Sequence, residues 1–446
     1  MDKWVKYAEK KGVNYAELKD SEVSVQKVEV HNKKTKSISD SNSKIVSARV
    51  IYAGKQGLAF NTMGDFKAAI NQAIKFAKSN PLKSKLADSK PTKTVMKAKY
   101  KIHPEDISLE EKKKLLLGLQ TKYKQVKKLE KMYLHKIANT DYINTQGSSY
   151  LKEDLITGLV IQAYSQQGNQ NEHNIQLLRH HKGYEILKDS QNFTNKVTKL
   201  STELLKAKFA KGGNFPVVVD QKLGGVFVHE AVGHACEADF VIGKMTVLQQ
   251  KYLNKQIANK KVSISDDGRI EEHGWMTVDD EGVKKGNTQL IKNGILKGYL
   301  HSKETAAQMK VAPTGNGRAQ SAAHRVIPRM TNTFMERGKD KFENMISSIK
   351  KGYYLKDSKG GQVDTVKGEF LFGTKYGYEI NNGEIGKMVK NASLIGNILD
   401  ILPKISMVGN DALLWGGGVC GKHAQHVPVS DSTPGFKISE ATVGGK

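Results

Sequence analysis

The run His229-Glu230-Ala231-Val232-Gly233-His234 holds the residues of this 446-residue chain best suited to chemistry. Two imidazoles can grip a divalent metal, and a carboxylate beside them can take a proton from water. In the familiar zinc-hydrolase pattern the two histidines stand four apart on one helical face, with the glutamate as general base. Here they stand five apart. Five residues of a regular α-helix turn through about 500°, which leaves the rings roughly 140° apart and unable to share an ion. One π-helical turn absorbs the extra residue and restores a common face, and such turns concentrate at functional sites. A helix that breaks at Gly233 would serve as well, and Gly233 has no side chain to clash with either distortion. On spacing alone, His229 and His234 are equally readable as ordinary buried histidines. Glu230 tips the balance, because an acid on an otherwise apolar segment must be satisfied somehow.

A hydrolytic zinc site usually takes three protein ligands and leaves one position for water. Cys420, in Gly416-Gly417-Gly418-Val419-Cys420-Gly421, is the preferred third ligand, since glycines allow close backbone approach and a thiolate binds zinc strongly. His423 and His426 are rivals on the same segment. Cys236 lies two residues past His234, should face the other side of a helix, and reads better as a small buried thiol. The chemistry of such a site is metal-assisted peptide hydrolysis: the metal acidifies a water, and Glu230 takes its proton and passes it to the leaving amine. Arginine adds a second signal. Of seven arginines, Arg318, Arg325, Arg329 and Arg337 fall within twenty residues. In so lysine-rich a chain an arginine suggests a geometric need, a carboxylate clamp or a planar contact, against chance clustering or a structural salt bridge. Arg318 and Arg329 would anchor substrate or brace the site.

The elements that position these residues form three units. Residues 1–80 read as a small α/β unit: a helix from Trp4, strands around Val23–Val30 and Ile45–Ile51, and a helix through Ala68–Ala77 ending before Pro81. A Lys-, Ser- and Pro-rich stretch, 78–100, follows as a linker. Residues 101–211 form a mixed α+β unit, with a capping box at Ser108–Glu111, a leucine-rich helix over 109–129, strands near 132–137 and 159–163, and a helix near 195–208. From 214 to 446 a β-rich unit begins with the buried strand Val217-Val218-Val219, carries the histidine segment on a helix, and continues as short strands punctuated by glycine. The run 416–421 is expected to be a loop, too glycine-rich for a regular element. The fold class is therefore α+β.

Composition excludes several classes. Apolar residues make up 38%, enough for buried cores, so the chain is not mainly disordered. No apolar stretch follows the N-terminal charges and none approaches a membrane span, which leads us to expect no membrane association. Two cysteines make no disulfide framework. A cytoplasmic protein in a reducing compartment is expected. The net charge of +26 invites a nucleic-acid reading, but it comes from 64 lysines spread along the chain, with no recognisable binding module. No nucleic-acid partner is expected.

Taken with other segments, these residues resemble the TldD/PmbA family, in its TldD-like, metal-carrying branch. The resemblance rests on Gly54-Lys55-Gln56-Gly57-Leu58-Ala59-Phe60, on the His-Glu-x-x-x-His (HExxxH) run with Glu237 and Asp239, on Thr314-Gly315-Asn316-Gly317-Arg318, on Pro328-Arg329-Met330-Thr331-Asn332-Thr333, and on Gly418-Val419-Cys420-Gly421-Lys422. It covers nearly the whole chain and is strongest after 214. Cys236 departs from it, since relatives tend to carry an apolar residue there. The resemblance implies that His229, His234 and Cys420 bind zinc and that Glu230 is the catalytic base. It also implies a peptidase acting on peptides or unfolded segments, held by strand addition. It further implies a homodimer, or a heterodimer with a PmbA-like metal-free subunit. The alternative is a non-catalytic structural subunit of such a dimer, which the presence of all four residues disfavours.

Overall fold

Long strands dominate the first 180 residues of the computed structural model, which describes residues 1–445. Helix α1 (Asp2–Lys10) leads into β1 (Tyr15–His31), β2 (Lys34–Tyr52) and β3 (Lys55–Asn61), followed by α2 (Phe66–Ser79) and β4 (Lys93–Met96). Then come α3 (Leu109–Gly118), β5 (Val126–Asn144), β6 (Ser149–Gln167), β7 (Gln170–His180) and α4 (Ser190–Leu204). The strands form one sheet in the order β3-β2-β1-β5-β6, with β4 and β7 dividing the outer edge of β6. β1 pairs with β5 from Glu17–Asn144 to His31–Glu130. The two N-terminal units expected from the sequence, 1–80 and 101–211, thus contribute to a single sheet.

Local chemistry explains the boundaries. α2 starts where the Asp65 carboxylate accepts from the Ala68 N–H, and it stops at Asn80, ahead of Pro81. It lays Ala69, Ile70, Ala73 and Ala77 against Leu18, Val46, Ala48 and Val50 of the sheet. The Ser108–Glu111 capping box opens α3, but the helix ends at Gly118, about half the span expected over 109–129. Beyond Leu119 the burial alternates along β5, where Lys131 is buried and its ammonium donates to the carbonyls of Leu119 (3.0 Å) and Asn32 (2.8 Å). A lysine used this way is invisible to a hydrophobic pattern. α4 starts five residues before the helix expected at 195–208 and ends four before its close.

The remainder is built mainly on two further sheets. One has eight strands and includes Gly213–Val219, which pairs with Lys351–Asp364 and Phe436–Gly444; the other has six and ends at the edge strand Leu413–Lys422, paired with Gln425–Thr433. Between them lies the largest core, whose Phe227 is fully buried against Phe370, Phe372 and Phe436. Burying such a ring contributes about 1.5–3 kcal/mol. The run 416–421, expected to be a loop, lies within that edge strand. Its turn is made by His423 and Ala424, both left-handed, as a two-residue hairpin of this twist requires. Its glycines serve a bulge, where Gly417 takes φ 107°. The fold is mixed α and β, and among the described residues no helix is long and apolar enough to cross a membrane.

Candidate metal centre

The segment carrying the two histidines is placed by glycines on its first turn. The Asp220 carboxylate caps helix α5 (Gln221–Phe227), accepting from Leu223 N–H at 2.9 Å. A Cβ on Gly224 would fall 2.2 Å from Thr433 Oγ1, and one on Gly225 would lie 3.0 Å from Asp431 Cβ. The helix can therefore ride directly on the strand Gln425–Thr433. After Phe227 the helix widens into a π-helical turn over Val228–Gly233 and then tightens at His234–Cys236. That turn puts His229 and His234 side by side, with ring centroids 5.1 Å apart and planes at 87°. Gly233 takes an ordinary helical conformation, φ −56°, so backbone freedom is not its role. A Cβ there would sit 1.9 Å from Met330 Sδ, so packing is what excludes a side chain.

Three donors converge. The ligand atoms of His229, His234 and Cys420 all lie within 4.8 Å of one another, and the residues are 5%, 7% and 1% exposed. Cys420 Sγ is 3.4 Å from His234 Nε2. Tetrahedral zinc bonds to sulfur and nitrogen would place such atoms about 3.6 Å apart. Each imidazole is oriented from behind by a carboxylate. His229 Nδ1 donates to Asp431 at 2.9 Å and His234 Nδ1 donates to Glu237 at 2.8 Å, which turns both Nε2 atoms toward the sulfur. Rivals fall away on geometry: His423 and His426 are exposed at the hairpin end, and Cys236 is sealed in the core, where burial pushes its thiol up.

The electrostatics match a thiolate facing two cationic rings. Burial would raise the Cys420 pKa, but His229 and then His234 hold it well below the usual thiol range. Burial would lower His234, yet Glu237 and then Cys420 bring it up to about 10. His229 is likewise raised, against burial, by Asp431 and Cys420. A metal ion replaces the protons in such an arrangement, so this donor set fits zinc in charge as well as in shape. Glu230, whose side chain is 25% exposed, stands 3.9 Å from His234 Nε2 at the open side of the cluster. Burial raises its carboxyl pKa, partly offset by His229 and His234.

The surroundings absorb several residues that sequence reading left open. Lys422, buried, reaches Glu237 (3.1 Å), Asp239 (2.8 Å) and the Pro328 carbonyl (3.0 Å). Arg329, fully buried, donates to the carbonyls of Cys420 and Gln425. Arg318 donates to those of Met330 (2.6 Å) and Pro428 (2.8 Å). Both arginines therefore brace the backbone around the Cys420 hairpin. Arg325 pairs with Glu304, and Arg337 donates to Ala412 O, both away from the cluster. Asp431 went unnoticed in the sequence, where Ser430-Asp431-Ser432-Thr433 resembles a polar turn.

Comparison with known proteins identifies relatives of the chain. A family model described as the PmbA/TldA metallopeptidase C-terminal domain matches residues 212–445. A protein of Methanocaldococcus jannaschii named as a metalloprotease is 36% identical over 431 residues, covering 94% of both chains. One of Saccharolobus solfataricus, named a zinc metalloprotease TldD homolog, is 28% identical over the full length of both. Among solved structures, a Thermotoga maritima protein described as a candidate modulator of a DNA gyrase superposes with TM-score 0.83 at 22% identity, covering 99% of each chain. TldE of Thermococcus kodakarensis superposes with TM-score 0.78 at 19% identity over the whole of both. The two structures share the fold, and the sequence matches go further: this chain belongs to the TldD/PmbA family.

Proposed function

We propose that the chain is a zinc-dependent peptidase acting on peptides or unfolded polypeptide segments, with His229, His234 and Cys420 as zinc ligands and Glu230 as general base. The observation that carries this reading is the convergence of the three donors, each imidazole backed by its own carboxylate, on a space that Glu230 borders. Zinc bound there would supply Lewis acidity toward a scissile carbonyl and acidify a water. The chain's own residues do the rest. Asp431 and Glu237 keep the imidazoles in the tautomer that exposes Nε2. Lys422 balances the charge of Glu237, and Arg329 fixes the strand that presents Cys420. The Glu230 carboxylate takes a proton from water and returns it to the departing amine. An extended substrate is proposed to pair with the free edge of Leu413–Lys422, next to Cys420.

The catalytic unit is proposed to be 214–446, with 1–80 and 101–211 completing an enclosing dimer, either of two copies or with a TldE-like partner. Two free thiols are consistent with work in the cytoplasm. The likeness to TldE keeps a non-catalytic subunit as the second reading, and the complete set of His229, Glu230, His234 and Cys420 favours the first. Zinc content and cleavage of an unstructured peptide by wild type and Glu230→Gln test it. Zinc retained with cleavage lost, by a factor of about 10² or more, is expected. Equal cleavage by the variant would remove Glu230 as base, and zinc-free wild type would favour the second reading.

A further inference from the structure

Among the described residues, one arginine near this centre pairs with no carboxylate. Arg179 lies near the end of β7, where that strand meets the Cys420 strand: a Cβ placed on Gly417 would be 3.2 Å from Arg179 Cβ and 3.4 Å from its carbonyl oxygen. The next residue, Gly418, faces Asp431, whose Oδ2 would be 3.5 Å from a Cβ there, and Asp431 holds His229. Three strand residues separate Gly417 from Cys420, about 10 Å at roughly 3.3 Å per residue. Arg179 is half-buried, running past Gly158, and its Nε is closed to solvent with no hydrogen-bond partner among the described residues.

The neighbouring acids are already committed. Asp154 serves His181 (2.8 Å) and Lys152, and Glu272 serves His180 (3.2 Å). Among the described residues no carboxylate pairs with Arg179. His273, 2% exposed, is close enough to feel its charge, and its Nδ1 also lacks a hydrogen-bond partner among the described residues. Burial, and then the charge of Arg179, keep that ring neutral, well below its ordinary range. Burial likewise lowers Arg179 itself, with no acid to oppose it. Buried polar groups are normally satisfied, so a half-buried arginine with an unpartnered Nε and no paired carboxylate has guanidinium donors to offer an acceptor from outside. A planar guanidinium fork is the group best matched to a carboxylate.

We propose that Arg179 binds a carboxylate of the peptide substrate about three residues along the chain from the bond that is cut. The proposal rests on the peptidase reading and names its substrate class: peptides carrying an acidic group near the scissile bond. A free C-terminus and an Asp or Glu side chain present the same group.

Three alanine-based peptides with a neutral N-terminal dye separate the possibilities: a C-terminal acid, its amide, and an amide with one internal aspartate. Binding to zinc-loaded, full-length Glu230→Gln protein is read by fluorescence anisotropy. At least one carboxylate peptide is expected to bind about ten- to a hundredfold tighter than the plain amide, and the preferred one identifies the source. Adding Arg179→Met should erase that difference without changing zinc content, and Arg179→Lys should restore part of it. In the otherwise wild-type enzyme, Arg179→Met should raise KM for the preferred peptide and leave kcat unchanged. Equal binding of all three peptides, or a preference that survives Arg179→Met, overturns the proposal. The peptide comparison uses intact Arg179, so it decides even if that variant is unstable. Failure of the peptidase reading is separable: wild type would cleave none of the peptides while the binding difference stood.

Discussion

Asp431 and Glu237 determine how the two imidazoles present themselves, and they differ in how legible they were. Glu237 sits three residues from His234, within a helix-spaced motif. Asp431 is 202 residues from His229 and is joined to it only because Gly224 and Gly225 let a helix lie on a strand. No spacing rule ties such a pair together. Asp431→Asn should weaken zinc binding about 10- to 100-fold, measured by chelator competition, because the amide no longer fixes the tautomer. Unchanged affinity would mean that the His229–Asp431 contact is not what orients the ring. Glu237 makes a pH prediction. Burial acts to raise its pKa, but Lys422 and then His234 depress it from the ordinary 4.5 to about 2. A depressed carboxylate contributes stability that is complete above about pH 4.5 and is lost as pH falls toward 2. The contribution is on the order of 3 kcal/mol. In metal-stripped protein, urea midpoints of wild type and Glu237→Gln should therefore converge as the solution is acidified through that window. A constant gap would argue against the Lys422–Glu237–His234 linkage.

At the scale of elements, the five-residue spacing of the histidines carried real information. It called for a widened helical turn or a break at Gly233, and the chain has a π-helical turn over Val228–Gly233. What spacing could not reveal was the role of Gly233, which is set by a sulfur atom from a distant segment. Gly233→Ala should drive a methyl group into Met330 Sδ and destabilise the fold by about 1–3 kcal/mol. Met330→Ala in the same chain should recover part of that loss. The check is a set of thermal melts on the two single variants and the double. Strict additivity would mean that the two side chains do not compete for the same space. Elsewhere the sequence misled for the same reason, since partners far along the chain overrode local pattern. The stretch past Gly118, expected to continue the helix, is irregular and then, from Val126, a strand in which Lys131 is buried by bonding carbonyls, and the glycine run 416–421 was held extended by its pairing with Gln425–Thr433.

For the whole molecule, the question is what fixes the N-terminal sheet to the part that carries the candidate metal centre. The excess of lysine over arginine made each arginine worth following, and the most consequential of them was one that attracted no attention in the sequence. Arg49, on β2 and 2% exposed, pairs with Glu17 of β1 and with Glu281 of the C-terminal part, both at 2.7 Å. Glu281 also accepts from the Lys303 N–H at 2.6 Å, and Tyr15 donates to Glu17 at 2.8 Å. The cluster crosses between the two parts, so its charges have exchanged water for one another. Removing only the cation takes the nearest counter-charge from two buried carboxylates and leaves Glu17 with the more distant Lys19, at 4.0 Å. Arg49→Met should therefore cost about 3–5 kcal/mol, read as a lower urea midpoint. A triple change, Arg49→Met with Glu17→Gln and Glu281→Gln, removes the stranded charge and should regain much of the loss. If the cluster joins the two parts energetically, Arg49→Met should also separate the unfolding reported by Trp4, in α1, from that reported by Trp275, in the C-terminal part. Coincident transitions with an unshifted midpoint would show that the other contacts between the parts, among them Lys390 with Glu172 and Gln176 with Asp357, are enough and that Arg49 is dispensable to their union.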